Sequence, residues 1–225
     1  MIIETLKKSN IFSSLKEKEL KEISTFFEKL DFTNNEYIFI EGDPSDWFYL
    51  VAKGRVKILK HTLMGKDIIL EVMSPGDIFG GIAVLDKKPY PASAQAMESV
   101  TVIRISRQNL LRIVEEYPII KLEVVKYFGD RLRDAHEMLK NIATEKVERR
   151  IASLLFKLSE KVGVEDGGYK KIDFPLTRQE IAEMVGTTVE TCIRTMSKFQ
   201  KQGLVKSSGG KILIKVDTLR KFLED

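Results

Sequence analysis

Residues 176–216 read LTRQEIAEMVGTTVETCIRTMSKFQKQGLVKSSGGKILIKV, and the order of capping, apolar and turn residues within them decides the fold. Thr177-Arg-Gln-Glu180 has the spacing of a capping box, in which a hydroxyl and a carboxylate satisfy the first free amides of a helix reciprocally. Thr187-Thr-Val-Glu190 repeats that spacing ten residues later. Between them IAEMVG makes one short helix, with Ala182 small enough for close packing and Gly186 at the tight turn. Two helices joined by a short glycine-containing turn form a helix-turn-helix. The second helix is expected from about Thr188 to Gln202, with Gly203 as its stop. Val189, Glu190, Ile193, Arg194, Ser197 and Lys198 share one face of it, while Cys192, Met196 and Phe199 fall toward the other. LVKSSGGKILIKV then reads as two short strands about Ser-Ser-Gly-Gly, a hairpin carrying Lys206, Lys211 and Lys215. A helix-turn-helix followed by a basic hairpin is a winged helix.

Those residue types suit a groove reader. An arginine grips guanine O6 and N7 in the major groove, and a glutamate accepts from the cytosine amino group. Glu190 and Arg194, one turn apart, are placed to read neighbouring base pairs and to hold each other. Thr188, Thr191, Lys198, Lys206 and Lys211 are expected at phosphates, which position a domain without carrying sequence information. Cys192 is expected in the core beneath them. Charge agrees with this reading. Residues 1–143 hold 21 Lys+Arg against 21 Asp+Glu, and residues 144–225 hold 16 against 12, so the whole +4 excess lies in the C-terminal third. Between 187 and 221 eight bases face two acids, Glu190 and Asp217. A local basic surface on an otherwise neutral chain points to a polyanion, nucleic acid first.

Upstream, residues 4–30 carry apolar positions at helical spacing (Leu15, Leu20, Ile23, Phe26, Phe27, Leu30), with Ser13 and Ser14 as the expected caps. From about Asp31 to Arg104 the period changes to short runs rich in Ile, Val, Phe and Tyr: YIFI, WFYLV, VKIL, IILEVM and VTVIRI. Turn signals separate them: EGDPSD (41–46), KG (53–54), MGKD (64–67), SPGD (74–77) and DKKPYP (86–91). Gly42, Gly54, Gly65 and Gly76 recur about every eleven residues and are expected where the chain doubles back. The pattern predicts a compact all-β barrel or sandwich. A helix follows from Ser106 to about Glu116, closed by Pro118. The chain is then helical from Ile119 through a run from Asp130 to Gly163 with no glycine or proline in between, with a further helix over 144–161. Val125, Phe128, Leu132, Ala135, Leu139 and Ile142 are spaced 3, 4, 3, 4, 3. That alternation is a coiled-coil seam and predicts a parallel homodimer. The domains read as 1–116 (β sensor with flanking helices), 117–143 (dimerisation helix) and 144–225 (winged helix).

Composition excludes several classes. With 225 residues, 43% apolar and 31% charged, the chain is neither disordered nor fibrous. No stretch approaches the roughly 18 consecutive apolar residues of a membrane span. MIIETLKKSN lacks the layout of a secretion signal, so a cytoplasmic protein is expected. The single Cys192 excludes an internal disulfide framework and a four-cysteine zinc or iron–sulfur site. Only two histidines are present, His61 and His136. They leave little for a metalloenzyme, and only His61 lies in the β region, which argues against a barrel enzyme. No P-loop, nucleophile elbow or dinucleotide fingerprint occurs, so catalysis is not expected.

A glycine-punctuated β unit, a dimer helix and this winged helix together resemble the Crp/Fnr family of bacterial transcription regulators. The resemblance covers essentially the whole chain and is strongest in GDIFGGIAVL (76–85), PASAQA (91–96) and residues 176–205. It implies an α+β fold: an N-terminal cyclic-nucleotide-binding-type β-roll (a double-stranded jelly roll), a long dimerisation helix and a C-terminal winged helix-turn-helix. It also implies a palindromic DNA operator, RNA polymerase as a protein partner, and an effector site at Gly80, Gly81, Ile82, Ala92 and Ser93. The family's Glu-x-x-x-Arg is matched by Glu190 and Arg194. Val189 and Ile193 stand where many members carry a third base-reading side chain, which implies a half-site departing from the common TGTGA or TTGAT.

The resemblance also bears on the effector. The family's cyclic-nucleotide cassette uses a glutamate for the ribose hydroxyl and an Arg-Ser pair for the cyclic phosphate. Gly81 occupies the first position, and Pro91 and Ala92 the others, which argues against cAMP. LDKKPYPASAQA (85–96) looks closer to the branch that answers nitrogen oxides, some of whose members use haem. Haem needs axial ligands, and His61, Met64, His136 and Met138 are the candidates. The alternatives to an effector-controlled regulator are therefore a haem-dependent nitric-oxide sensor, or a cyclic-nucleotide-type module acting on a protein partner.

Overall fold

The stretch from Glu28 to Ser106 folds into two four-stranded antiparallel sheets. The strands are β1 (Glu28–Phe32), β2 (Tyr37–Phe39), β3 (Trp47–Lys53), β4 (Val56–His61), β5 (Asp67–Met73), β6 (Ile78–Phe79), β7 (Ser93–Ala96) and β8 (Val100–Ser106). One sheet runs β1-β8-β3-β6 and the other β2-β7-β4-β5. Apart from the β4-β5 hairpin, sequential strands alternate between the sheets, the wrapping of a jelly roll. β3 explains the burial: Phe48, Tyr49, Leu50 and Val51 are all buried, so this strand is covered on both faces. In β8 Val102, Ile103 and Ile105 close the same core.

The computed structural model describes residues 1–62, 65, 67–208 and 210–224, which divide into the units Met1–Asp134 and Ala135–Asp225. Met64 and Gly209, named above in a ligand set and in two turns, lie outside the described residues. Among the described residues no helix is long and apolar enough to cross a membrane.

Around the roll of the first unit lie α1 (Ile2–Lys8), α2 (Glu17–Ser24), α3 (Gly81–Asp86), α4 (Arg107–Glu116) and the first part of α5 (Pro118–Thr144). The expected caps Ser13 and Ser14 are not used. α2 starts after Lys16, whose amide donates to Glu19 Oε2 at 2.6 Å, the carboxylate half of a capping box, with no serine hydroxyl at the cap. Leu30, assigned above to the helical stretch, sits in β1, because Phe27 already leaves the helix for the strand. α4 is capped by Ser106, whose hydroxyl accepts from Asn109 N, and Pro118 opens α5, where its missing N–H is harmless.

The run 130–163 is not one helix. Lys146 adopts extended backbone (φ −64°, ψ 152°) and separates α5 from α6 (Val147–Val162). The second unit continues with β9 (Gly163–Asp166), β10 (Tyr169–Ile172), α7 (Arg178–Val185), α8 (Val189–Lys201), β11 (Val205–Ser208), β12 (Lys211–Ile214) and α9 (Val216–Glu224). Its sheet runs β11-β12-β10-β9, so the wing hairpin is extended by a second hairpin over 163–172. α9, which no sequence signal singled out, packs Phe222 edge-on against Phe199 at 5.5 Å, and Arg149 of α6 donates to Leu223 O at 2.6 Å. Cys192 is buried in this core, and burial pushes its thiol up, so it stays protonated and inert at neutral pH.

Gly76 is held at φ +96°, and a Cβ there would meet the Lys8 carbonyl oxygen at 2.7 Å. Gly42 has φ +93° but open space around it. Gly76→Ala should therefore cost about 2–4 kcal/mol in urea unfolding, clash added to strain, and Gly42→Ala only about 1 kcal/mol. Equal losses would show that the approach of Lys8 does not constrain the turn.

Candidate functional site

The helix-turn-helix is assembled from local chemistry. Thr177 Oγ1 accepts from Glu180 N at 3.1 Å, and Glu180 Oε2 accepts from Thr177 N at 2.9 Å, so the first capping box is complete. Gly186 ends α7 in the left-handed region (φ 67°, ψ 53°), and Thr187 N donates to Ala182 O. The second expected box does not form at Thr187. α8 begins one residue later, with Thr188 as its cap: Thr188 Oγ1 accepts from Thr191 N at 3.2 Å. Thr188 and Thr191 are thus occupied in holding the helix start.

α8 buries Cys192, Thr195, Met196 and Phe199 and exposes Glu190, Ile193, Arg194, Ser197 and Lys198. Ile193 is 48% exposed, an apolar side chain at the centre of a polar face. Val189 and Thr191 are half-buried at its edge. Arg194 Nη2 donates to Thr191 Oγ1 at 3.3 Å, and Ser197 Oγ donates to Ile193 O. Lys198 is drawn back by Glu148 of α6, with both carboxylate oxygens 2.9 Å from its Nζ. In the wing, Lys211 Nζ lies 2.6 Å from Asp173 Oδ1, and Lys206 Nζ sits 4.4 Å over the Tyr169 ring. Ser207 of β11 accepts from Arg178 Nη2 and Gln200 Nε2, which ties the wing to both helices. Lys201 escaped the sequence reading. It is exposed seven residues beyond Arg194, a spacing that could have found it.

A second site lies in the first unit. Gly80, Gly81, Ile82 and Ala92 line one cavity of about 120 Å³, together with Phe39, Ile58, Ile78, Phe79, Ala83, Tyr90, Pro91, Tyr127, Phe128 and Arg131. Ser93 is not part of the lining. It is fully buried in β7, and its hydroxyl accepts from Glu41 N at 2.9 Å. The sequence reading missed the α5 wall of this cavity, although Tyr127 and Arg131 are four residues apart and flank the seam residue Phe128. Tyr127 donates to Ile78 O at 2.9 Å and accepts from Arg131 Nη1 at 2.6 Å, and Arg131 also pairs with Glu71. Burial pushes the hydroxyl of Tyr127 well above the ordinary tyrosine range, and the same holds for Tyr90. Both stay neutral.

The seam residues Val125, Leu132, Ala135, Leu139 and Ile142 are exposed on α5. Phe128 departs from the expectation. It is half-buried and forms a common wall of the cavity above and of a second apolar cavity of about 160 Å³ beside Phe48, Leu110 and Val124. Of the haem-ligand candidates, His61 is exposed at the end of β4 with Nδ1 2.6 Å from Asp67 Oδ1, while His136 (exposed) and Met138 (half-buried) lie on α5. Among the described residues the lining contains no histidine, methionine or cysteine, its tyrosines are committed to Trp47 and Ile78, and about 120 Å³ is too small for the macrocycle, so it does not fit haem. Among the described residues no group of three His, Cys, Asp or Glu could hold a metal ion.

Comparison with known proteins assigns a domain family to part of each unit. Residues 29–117 match the cyclic nucleotide-binding domain family, and residues 149–222 match the Crp-like helix-turn-helix domain family. The chain is 28% identical over 211 residues, 94% of each protein, to the CRP-like cAMP-activated global transcriptional regulator of Mycobacterium tuberculosis. It is 27% identical over 179 residues to the transcriptional activator protein Anr of Pseudomonas aeruginosa, covering 80% of this chain and 73% of the relative. The structure of FixK2 from Bradyrhizobium japonicum superposes with a TM-score of 0.78 at 22% identity, over 87% of this chain and 96% of that one, a likeness of fold. With a jelly roll of the cyclic-nucleotide-binding type at one end and a Crp-like winged helix at the other, the chain belongs to the Crp/Fnr family of DNA-binding transcription regulators, and it is not an enzyme.

Proposed function

We propose that the protein acts as a homodimer on a palindromic operator, and that occupation of the β-roll cavity, by something other than cAMP, controls its grip on DNA. The observation that carries this reading is the division of α5 into two faces. Tyr127 and Arg131 seal the cavity from one side, while Val125, Leu132 and Leu139 stand 70%, 57% and 66% exposed on the other. Exposed apolar side chains at seven-residue intervals cost solvation until a matching helix covers them, and a second copy supplies the same stripe. A ligand in the cavity would press on the helix that forms this seam. In a dimer that pressure would bear on whether two α8 helices reach major grooves about 34 Å apart.

Arg131 is the one cation in the cavity lining, and it is paired with Glu71. A cyclic phosphate placed there would have to displace that carboxylate or stay unneutralised, both of them costly. The family members whose names record cAMP activation are therefore relatives in fold and DNA binding rather than guides to this effector. Haem would find in the cavity only tyrosine hydroxyls already committed to Trp47 and Ile78, among the described residues. RNA polymerase as the protein contacted at the promoter is carried by family membership alone.

On DNA, Arg194 and Glu190 would read base edges, with Ile193 beside them in apolar contact, as with a thymine methyl. Lys198, Lys206, Lys211 and Lys201 would face phosphates, Lys198 and Lys211 after release from Glu148 and Asp173.

Arg194→Ala should weaken operator binding by about 1–3 kcal/mol and relax discrimination at one base position, with a much smaller loss on random DNA. Equal losses on both would place Arg194 on the backbone instead. Leu132→Glu with Leu139→Glu should shift sedimentation from dimer to monomer at micromolar protein while the far-ultraviolet spectrum is kept, because each change buries a charge in the seam. A dimer that survives both changes would assign the stripe another partner.

A further inference from the structure

We infer that the β-roll cavity takes a neutral, apolar ligand about the size of a single six-membered ring. This rests on the reading of the cavity as the effector site and adds the class of ligand.

Size comes first. The cavity measures about 120 Å³. An apolar cavity of about 150 Å³ holds benzene, whereas sites for ligands of drug size run from about 300 Å³ upward. A nucleotide, with a purine, a sugar and a phosphate, is several times too large. The walls are stiff: Tyr90 stacks on Phe39 at 3.8 Å between centroids, and Phe79 on Tyr49 at 5.2 Å. Ile82, 56% exposed at the edge of the lining, marks the side open to solvent.

Polarity comes second. Among the described residues the side chains of the lining bring two hydroxyls and one cation, and each is already committed. Tyr90 donates to Trp47 O at 2.6 Å and accepts from Trp47 N at 3.3 Å. Tyr127 donates to Ile78 O and accepts from Arg131. Arg131 is neutralised by Glu71. A ligand bearing an anion or several hydroxyls would lose its water and break one of these bonds to regain a partner. A hydrocarbon ring loses nothing and gains contact with aromatic faces and isoleucine methyls. The glycine pair 80–81 contributes space: a Cβ on Gly81 would meet the Phe48 ring at 2.8 Å, and one on Gly80 the Tyr90 ring at 3.2 Å.

The test uses the full-length protein with benzene as the neutral probe, benzoate as the anion and cAMP as the nucleotide. Benzene should saturate the protein, with intermolecular nuclear Overhauser contacts to the methyl groups of Ile58 and Ile78, and benzoate should bind roughly tenfold or more weakly. Ala92→Leu, which fills the space, should weaken benzene binding to a similar degree. Should that variant fail to fold, the Overhauser contacts locate the ligand without it. Failure of benzene to saturate would overturn the assignment. So would benzoate binding more tightly than benzene and depending on Arg131 (lost in Arg131→Gln), or cAMP displacing benzene. Operator affinity separates this inference from the reading beneath it. Benzene bound without any change in DNA affinity would leave the ligand class standing and remove the cavity's control of DNA. An Ala92→Leu protein with altered operator affinity but no benzene binding in the wild type would do the reverse.

Discussion

The hydrogen bond from Tyr127 to the carbonyl of Ile78, braced by Arg131 and its partner Glu71, fixes how α5 lies on the roll. Once that face is committed, geometry dictates the rest. Ile120, Val124 and Tyr127 join the roll's core, and a helix of 3.6 residues per turn then turns Val125 and Leu132 away from it. The same bonds occupy the Tyr127 hydroxyl and the Arg131 guanidinium of the cavity wall. One small, partly buried network therefore sets how α5 lies on the roll and closes one wall of the β-roll cavity. Such networks are costly when half satisfied, which gives the arrangement one well-defined geometry.

The winged-helix unit is organised by a different balance. Its core is sealed by apolar side chains, so its electrostatics are free for its partner. Lys198 and Lys211 are each held by one carboxylate, Glu148 and Asp173. Pairs as exposed as these contribute little to stability and are weakened further by salt. They keep the lysines oriented at the surface while leaving the exchange for phosphate nearly free of cost. Arg194 lies among the hydroxyls at the start of α8, where a base edge competes with a threonine rather than with a buried charge.

Much of this was legible in the sequence, for identifiable reasons. The winged helix could be read because its signals are local: a capping box at Thr177–Glu180, a left-handed glycine at 186, alternating buried and exposed positions in α8. The roll could be recognised because its turns need glycine. What escaped is of two kinds, a choice between equivalent local caps and contacts distant in sequence. The start of α2 uses the Glu19 carboxylate rather than a serine, and the start of α8 moves by one residue because Thr188 and Thr187 are interchangeable as caps by type. Ser93 is spent on the amide of Glu41, fifty-two residues away. Phe128 fits a heptad on paper, yet the roll claims its ring, since an aromatic side chain at the flank of the seam gains more from two apolar cavities than from a narrow stripe. The α5 wall of the cavity was hidden because Tyr127 and Arg131 acquire their meaning only from Ile78 and Glu71.

The central claim is that α5 serves two masters: its first part belongs to the roll, and its exposed stripe belongs to a second copy of the chain. Amide hydrogen exchange along α5, followed as the protein is diluted through its dimer dissociation, tests it most directly. The account predicts that amides of residues 120–131 exchange as slowly as those of β3 and β8 at every concentration, while amides of 135–144 lose protection on dilution. Uniform exchange along the whole helix, or loss of protection at both ends together, would contradict it.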